Sequence, residues 1–453
     1  MIKRVKWNHH DILGDLELDF TKAGGTPYNT IVLAGENGVG KTTIMDTLSA
    51  FLNLGSFAPF AHITYEADGE DYTDLPGEGV DAGMGFHVRK READQARERI
   101  IRNRNNRLAE LMADTKDIRS YGCAYSKARS GFRTRKITST TTSQLDSDRH
   151  EADTEDDFTR IKQMLVDVRV QDNENWATIS SSGSPMTYQQ FWPTAKMYRF
   201  ENAFNSFFQT IRFSRIEDAA DEKRVLFKKN GHEIPIDGMS TGEKQIVFRG
   251  AHLLKNLNGL NGGLVLVDEP ELSLHPKWQG KALEYYRSLF KSNGTQNVQM
   301  IFATHSEYVV RAALEDPADT LVIVLTDDGG TIKQRKIDRP SAVLPRITAA
   351  ETNFLAFGIY STDYHIELYS YLQTISHKTS ILGCDRYIER QTPKYDARKH
   401  GRISTFTEKS GRVVTYHTLP TLVRNWIDHP DTAPSCTQKD LEDSTDLLIE
   451  LCR

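Results

Sequence analysis

The stretch GENGVGKTT, Gly35–Thr43, constrains this chain more than any other part of it. It fits G-x4-G-K-[ST] and stands between a short apolar run, TIVLAG (residues 30–35), and TTIMDTLSAFL, which has the apolar spacing of a helix. A buried strand that turns on glycines directly into a helix points successive backbone N–H groups inward around phosphate oxygens, and the helix N-terminus adds a favourable dipole. Gly35, Asn37, Gly38, Gly40, Lys41, Thr42 and Thr43 are therefore the candidate nucleotide-binding residues, with Lys41 reaching the β and γ oxygens and Thr42 able to ligate Mg²⁺.

A second half of such a site follows later. LVLVD (264–268) reads as a buried strand ending in Asp268, placed to hold the water shell of a Mg²⁺ ion, and the next residue, Glu269, is suited to polarise an attacking water. QMIFATH (299–305) reads as another strand, putting His305 at the edge where nucleotide ligands of open α/β sheets gather; a γ-phosphate sensor is its expected role. ATP and Mg²⁺ are the expected cofactors.

In this order the motifs resemble those of ABC-type ATPases, specifically the SMC/Rad50-like branch. IDGMSTGEKQIVFRGAHLL (236–254) is similar to the signature segment of that branch, and DEPELSLHP (268–276) to its fused Walker B and D-loop. The resemblance covers about residues 1–55 and 200–330. It implies that Ser240, Thr241, Gly242 and Glu243 are the signature residues acting in trans, Ser240 and Gly242 facing the γ-phosphate held by another copy, that Ser273 and His275 belong to the D-loop, and that Glu269 and His305 are base and switch in an ATP-sandwiched dimer or larger homo-oligomer, up to a hexamer. A Q-loop glutamine is not identifiable.

The expected fold is thus α/β: an ABC-type P-loop ATPase head with a helical insertion and a mainly helical C-terminal domain. Residues 1–60 and 201–338 would form the two lobes of the head, 61–200 a helical, basic insertion, and 339–453 a partner-docking domain. Helices are expected around Arg91–Met112, Phe158–Val170, Asp363–Ile375 and Lys439–Cys452, a polar Ser/Thr run at Thr138–Ser143, and a hairpin in LVIVLTDDGGTIKQRKI. An insertion of about 140 residues with several breaks is too short for the long antiparallel arms of a chromosomal SMC protein.

Net charge is −5, which argues against a protein that coats nucleic acid with its whole surface. Between Arg89 and Lys136, however, 15 Lys/Arg stand against six Asp/Glu. That is either a nucleic-acid surface, as in RecF-like repair ATPases, or a solvated face. No apolar run approaches the roughly 18 residues of a membrane span, and the N-terminus lacks a leader-like apolar stretch, so a cytoplasmic protein without a membrane partner is expected. The four cysteines are scattered with no C-x2-C pair, indicating neither a zinc site nor a disulfide framework.

ETNFLAFGIYSTDYHIELYSYLQ (351–373) and TLPTLVRNWIDHPD (418–431) resemble the C-terminal region of small ABC-type ATPases from bacterial anti-phage systems, the Septu (PtuA) and PARIS (AriA) families. That resemblance implies an abortive-infection role: a phage-derived trigger, and a separate nuclease partner of HNH or TOPRIM type. The tail contains no D-x-D, which argues against a TOPRIM nuclease on the same chain. Within RNWIDHP, Arg424 and His429 have the spacing of a HEPN ribonuclease motif, but a few such Arg-His spacings arise by chance in a chain of this composition. Pro430 directly after His429 also ends or bends the preceding helix. Docking is the main reading of this stretch and a self-contained ribonuclease the alternative.

Overall fold

A computed structural model describes the chain except residues 129–134, 142–156, 182–185, 256–259, 293–294, 408–410, 412 and 432–434. It divides into two units, Met1–Lys336 and Ile337–Arg453.

At the centre of the first unit lies a six-stranded sheet in the order Thr331–Ile337, Thr320–Asp328, Thr30–Gly35, Gln299–Thr304, Leu264–Asp268, Cys123–Ser126. From Thr320 onward in that order, neighbouring strands pair in parallel. TIVLAG, LVLVD and QMIFAT are buried at every position, which is why they read as unbroken apolar runs: strands of a parallel sheet are covered on both faces. Parallel pairing brings the C-terminal ends of these strands to one edge, so the P-loop, Asp268–Glu269 and Thr304–His305 emerge side by side. The expected hairpin is present as Thr320–Asp328 and Thr331–Ile337.

A second, antiparallel sheet runs Glu17–Asp19, Ile2–Trp7, Phe60–Ala67, Glu70–Pro76, His87–Arg91, Arg97–Ile100. It closes a shared apolar core with the P-loop helix Lys41–Leu52, through residues such as Trp7, Phe51, Phe60 and Tyr65. Here the chain departs from the expectation of a long helix over Arg91–Met112. His87–Arg91 and Arg97–Ile100 are paired strands, and only Leu108–Met112 is helical. Cross-strand chemistry decides it: Arg89 lies opposite Glu98 and is 4% exposed, its guanidinium held 2.5 Å from Glu98 and 2.9 Å from Asp114. Among the described residues the longer helices that follow are Asp157–Ser181 and Tyr198–Phe207. The Ser/Thr run extends beyond the described residues at 142 and 143.

A three-stranded meander, Ile211–Asp218, Lys223–Lys229 and His232–Pro235, leads into the helix Thr241–Leu254. Asp157–Ser181 packs on that helix, Phe158 against Phe248 with ring centroids 5.3 Å apart, and Lys162 reaches Asp237 at 2.6 Å.

The second unit is mainly helical. Ala349–Phe357, Thr362–Ile375, Ile381–Glu389, Leu419–Asp428 and Gln438–Cys452 surround one antiparallel hairpin, Gly401–Thr407 with Val413–Thr418. Tyr364, Leu368, Leu372, Ile388 and Leu448 fill its core. All four cysteines are free. Among the described residues no helix is long and apolar enough to cross a membrane.

Candidate nucleotide site

The P-loop needs glycine for two physical reasons. Gly38 and Gly40 have φ of 88° and 83°, in the left-handed region, and a Cβ on Gly35 would run into the Leu325 carbonyl oxygen of the adjacent strand. A Cβ on Gly40 would meet Leu13 Cδ2 at 2.5 Å, because the loop before Glu17 lies against the P-loop. Asn37 and Gly38 sit at an exposed tip, Thr42 is exposed and Thr43 half-buried.

Lys41 bends back, its Nζ 2.8 Å from the carbonyl oxygens of both Gly35 and Glu36. Burial lowers its pKa, and the nearby Asp268, Glu269 and Glu271 pull it partly back up. The ammonium therefore sits among carboxylates and carbonyls. Thr42 Oγ1 lies 3.0 Å from Asp268 Oδ2, so the two expected Mg²⁺ ligands meet although 226 residues separate them. Burial raises the Asp268 pKa, while the Thr42 hydrogen bond opposes that shift. A hydroxyl and a buried carboxylate are hard oxygen donors of the kind Mg²⁺ takes.

Glu269 follows with φ of 45°, a left-handed conformation at a residue other than glycine. Its N–H donates to the Ala303 carbonyl at 2.8 Å, and its carboxylate Oε1 is 3.6 Å from His305 Nδ1. His305 is half exposed at the end of the neighbouring strand. The structure thus brings Lys41, Thr42, Asp268, Glu269 and His305 to one edge.

Two further residues belong to this edge. Glu271, 4% exposed, accepts from Thr304 Oγ1 at 2.6 Å and from the His305 N–H at 3.1 Å, and burial raises its pKa. Arg249, 3% exposed, sends hydrogen bonds to the carbonyl oxygens of Ser126, Asp268 and Glu269. Neither stood out in the sequence reading. A usable signal was there for Arg249: an arginine within the apolar stripe of a helix has to find buried acceptors.

The signature segment starts the helix Thr241–Leu254. Ser240 is its N-cap, in a capping box with Glu243, and Lys229 pairs with Glu243 at 2.6 Å. Gly242 packs so closely on the D-loop that a Cβ would lie 2.6 Å from the Ser273 carbonyl. Ser273 itself has φ of 61°, and His275 caps the helix Pro276–Ser288 through Nδ1. Ser240 and Thr241 are exposed.

Arg424 and His429 are not brought together in this way. Arg424 sits 2.6 Å from Asp428 and donates to Asn425 Oδ1, whereas His429 leaves the helix at its C-cap and packs on Phe406, ring centroids 4.9 Å apart. In the basic stretch, Arg89, Lys90, Arg91, Arg99, Arg102, Arg107, Arg119, Lys127 and Lys136 all stand in ion pairs, and the partners Glu70, Asp81, Asp46 and Asp221 from outside the stretch offset part of its excess.

The fold and the order of these loops resemble those of an ABC-type ATPase head, and the chain is similar to ATPases of defence systems. Residues 133–311 match the family described as "AAA domain, putative AbiEii toxin, Type IV TA system". The chain is 38% identical over 18% of its length to the retron Vc95 probable ATPase of Vibrio cholerae serotype O1 biovar El Tor, and 29% identical over 23% of its length to the Septu protein PtuA of Bacillus thuringiensis. These matches span only 17% and 27% of the two relatives' own lengths. Among solved structures it is similar to an SMC head bound to the C-terminal winged-helix domain of ScpA, at 15% identity and a TM-score of 0.42, covering 75% of this chain and 98% of that one.

Proposed function

We propose that this chain binds and hydrolyses ATP as one subunit of an anti-phage defence complex, closing two heads over shared nucleotide and using that closure to hold or release a separate nuclease. The observation that carries the reading is the convergence of Lys41, Thr42, Asp268, Glu269 and His305 from three separate loops. Lys41 exchanges its two carbonyl contacts for β and γ oxygens. Mg²⁺ held by Thr42 and Asp268 would neutralise charge on those oxygens. Glu269 accepts a proton from the attacking water, and His305, beside it, answers to the γ-phosphate. Asn37, Gly38 and Thr43 complete the phosphate cradle. Ser240–Glu243 of a second copy cover the site, with Ser273 and His275 at the same contact.

The defence role is supported by the retron and Septu relatives, both matched over short stretches. The second unit, mainly helical and without D-x-D, suits docking of a nuclease supplied in trans.

Lys41→Ala is expected to lose ATP binding, and Glu269→Gln to retain ATP while turnover falls about 100-fold or more. Equilibrium binding and phosphate release measure the two effects, and unchanged turnover in both variants would refute the site. For the partner, affinity capture from the native host should recover a nuclease. Recovery of none, together with RNA or DNA cleavage by the purified chain alone, would sink that part.

A further inference from the structure

We infer that Arg249 is a positioning residue for Glu269, coupling the signature helix to the backbone that aims the water-activating carboxylate. The inference rests on the ATPase reading above. Arg249 lies nine positions after Ser240 on the helix Thr241–Leu254 and is 3% exposed. Its Nε donates to Ser126 Oγ at 2.8 Å, Nη2 to the Ser126 carbonyl at 3.0 Å and the Asp268 carbonyl at 2.5 Å, and Nη1 to the Glu269 carbonyl at 2.8 Å. Among the described residues no carboxylate forms an ion pair with it. One buried cation thus joins three elements: the signature helix, the end of the strand Leu264–Asp268, and the end of its neighbour Cys123–Ser126.

What makes this more than a buried cross-link is the state of Glu269. Its φ of 45° costs about 1 kcal/mol or more for an L side chain, so it persists only where the surroundings over-determine it. They do so from both ends: the N–H is held by Ala303, and the carbonyl by Arg249 at 2.8 Å together with the Leu272 N–H of the following turn at 3.1 Å. With both peptide groups pinned, the direction in which the Glu269 side chain leaves the backbone depends on the local turn to Leu272 and, through Arg249, on where the signature helix stands. A lysine keeps the charge but cannot hold these acceptors in one planar fork.

The test uses the full chain carrying Arg249→Lys, Arg249→Met or Ser126→Ala, and Arg249→Lys with and without Glu269→Gln. Binding of a fluorescent ATP analogue and single-turnover hydrolysis are read side by side. Arg249→Lys should slow hydrolysis about tenfold or more while ATP affinity stays within about threefold, Ser126→Ala should slow it less, and on the Glu269→Gln background Arg249→Lys should add less than about twofold. If Arg249→Met fails to fold, Arg249→Lys and Ser126→Ala still decide. An equal proportional loss in both backgrounds, or affinity falling in step with rate, would overturn the inference alone. Hydrolysis by Glu269→Gln as fast as by wild type would remove Glu269 as the water-activating group and this inference with it, whereas a wild-type chain that does not hydrolyse ATP would overturn the ATPase reading itself.

Discussion

His365 lies wholly inside the second unit, its Nε2 2.7 Å from Ser444 Oγ and its Nδ1 without a hydrogen-bond partner among the described residues. Burial pulls its pKa down to about 3, whereas the unfolded chain protonates it near 6.5. Above about pH 6.5 both states carry a neutral ring and the fold loses nothing. As the pH falls below that value only the unfolded chain takes the proton, so stability drops by about 1.4 kcal/mol per unit until the folded ring titrates near 3. Urea midpoints of wild type and His365→Leu at pH 7 and pH 5 should show the variant losing about 2 kcal/mol less between the two. Identical pH slopes would assign the acid sensitivity elsewhere. The same contrast between local and distant chemistry explains which site residues the sequence displayed. Gly35–Thr43 and Asp268–Glu269 are legible because strand, turn and functional group follow one another along the chain. Arg249 and Glu271 are not, since what gives them meaning is a carbonyl or hydroxyl on another strand. Arg424 and His429 are the reverse case, a suggestive spacing whose side chains turn to Asp428 and Phe406.

At the scale of elements, fully buried strands and two of the amphipathic helices were legible with small shifts of boundary, whereas the helix expected over Phe158–Val170 runs on to Ser181. Asp363–Ile375 is Thr362–Ile375, and Lys439–Cys452 is Gln438–Cys452. The stretch around Arg91 misled because its arginines suit a solvated helix, and only the facing Glu98 and Asp114 reveal strands. The contact between insertion and signature helix was equally hidden, and it has a measurable asymmetry. Lys162 is 2% exposed, while the carboxylate it meets, on Asp237 three residues before Ser240, is substantially solvated. Lys162→Met keeps the apolar stem and removes the buried charge, so it should change unfolding free energy by less than about 1 kcal/mol. Asp237→Asn leaves the ammonium without its counter-charge and should cost about 1–3 kcal/mol. Denaturant unfolding of the two variants checks this, and a larger loss for Lys162→Met would mean that the ion pair itself stabilises the contact.

At the scale of the whole molecule, the question is whether one copy's P-loop works with another copy's signature. Within a single copy, Ser240 and Glu243 already have a local reason in the capping box, and Gly242 in its approach to Ser273. Those residues would look the same if the chain acted alone, and only exposure at Ser240 and Thr241 favours a second copy. Mixing two inactive variants separates the possibilities. Lys41→Ala copies lack a working P-loop but keep a signature, and Ser240→Arg copies have the reverse defect, at a cost of about 1 kcal/mol for the lost cap. If the site is shared across a two-fold interface, half of the dimers in an equal mixture are mixed and each of these has one intact site, so turnover should recover to about a quarter of wild type. If each copy hydrolyses ATP on its own signature, the mixture stays as inactive as its components. Phosphate release from the two variants, apart and combined, reads the result directly, and a mixture without recovery would remove the ATP-sandwiched dimer and any nuclease control that depends on it.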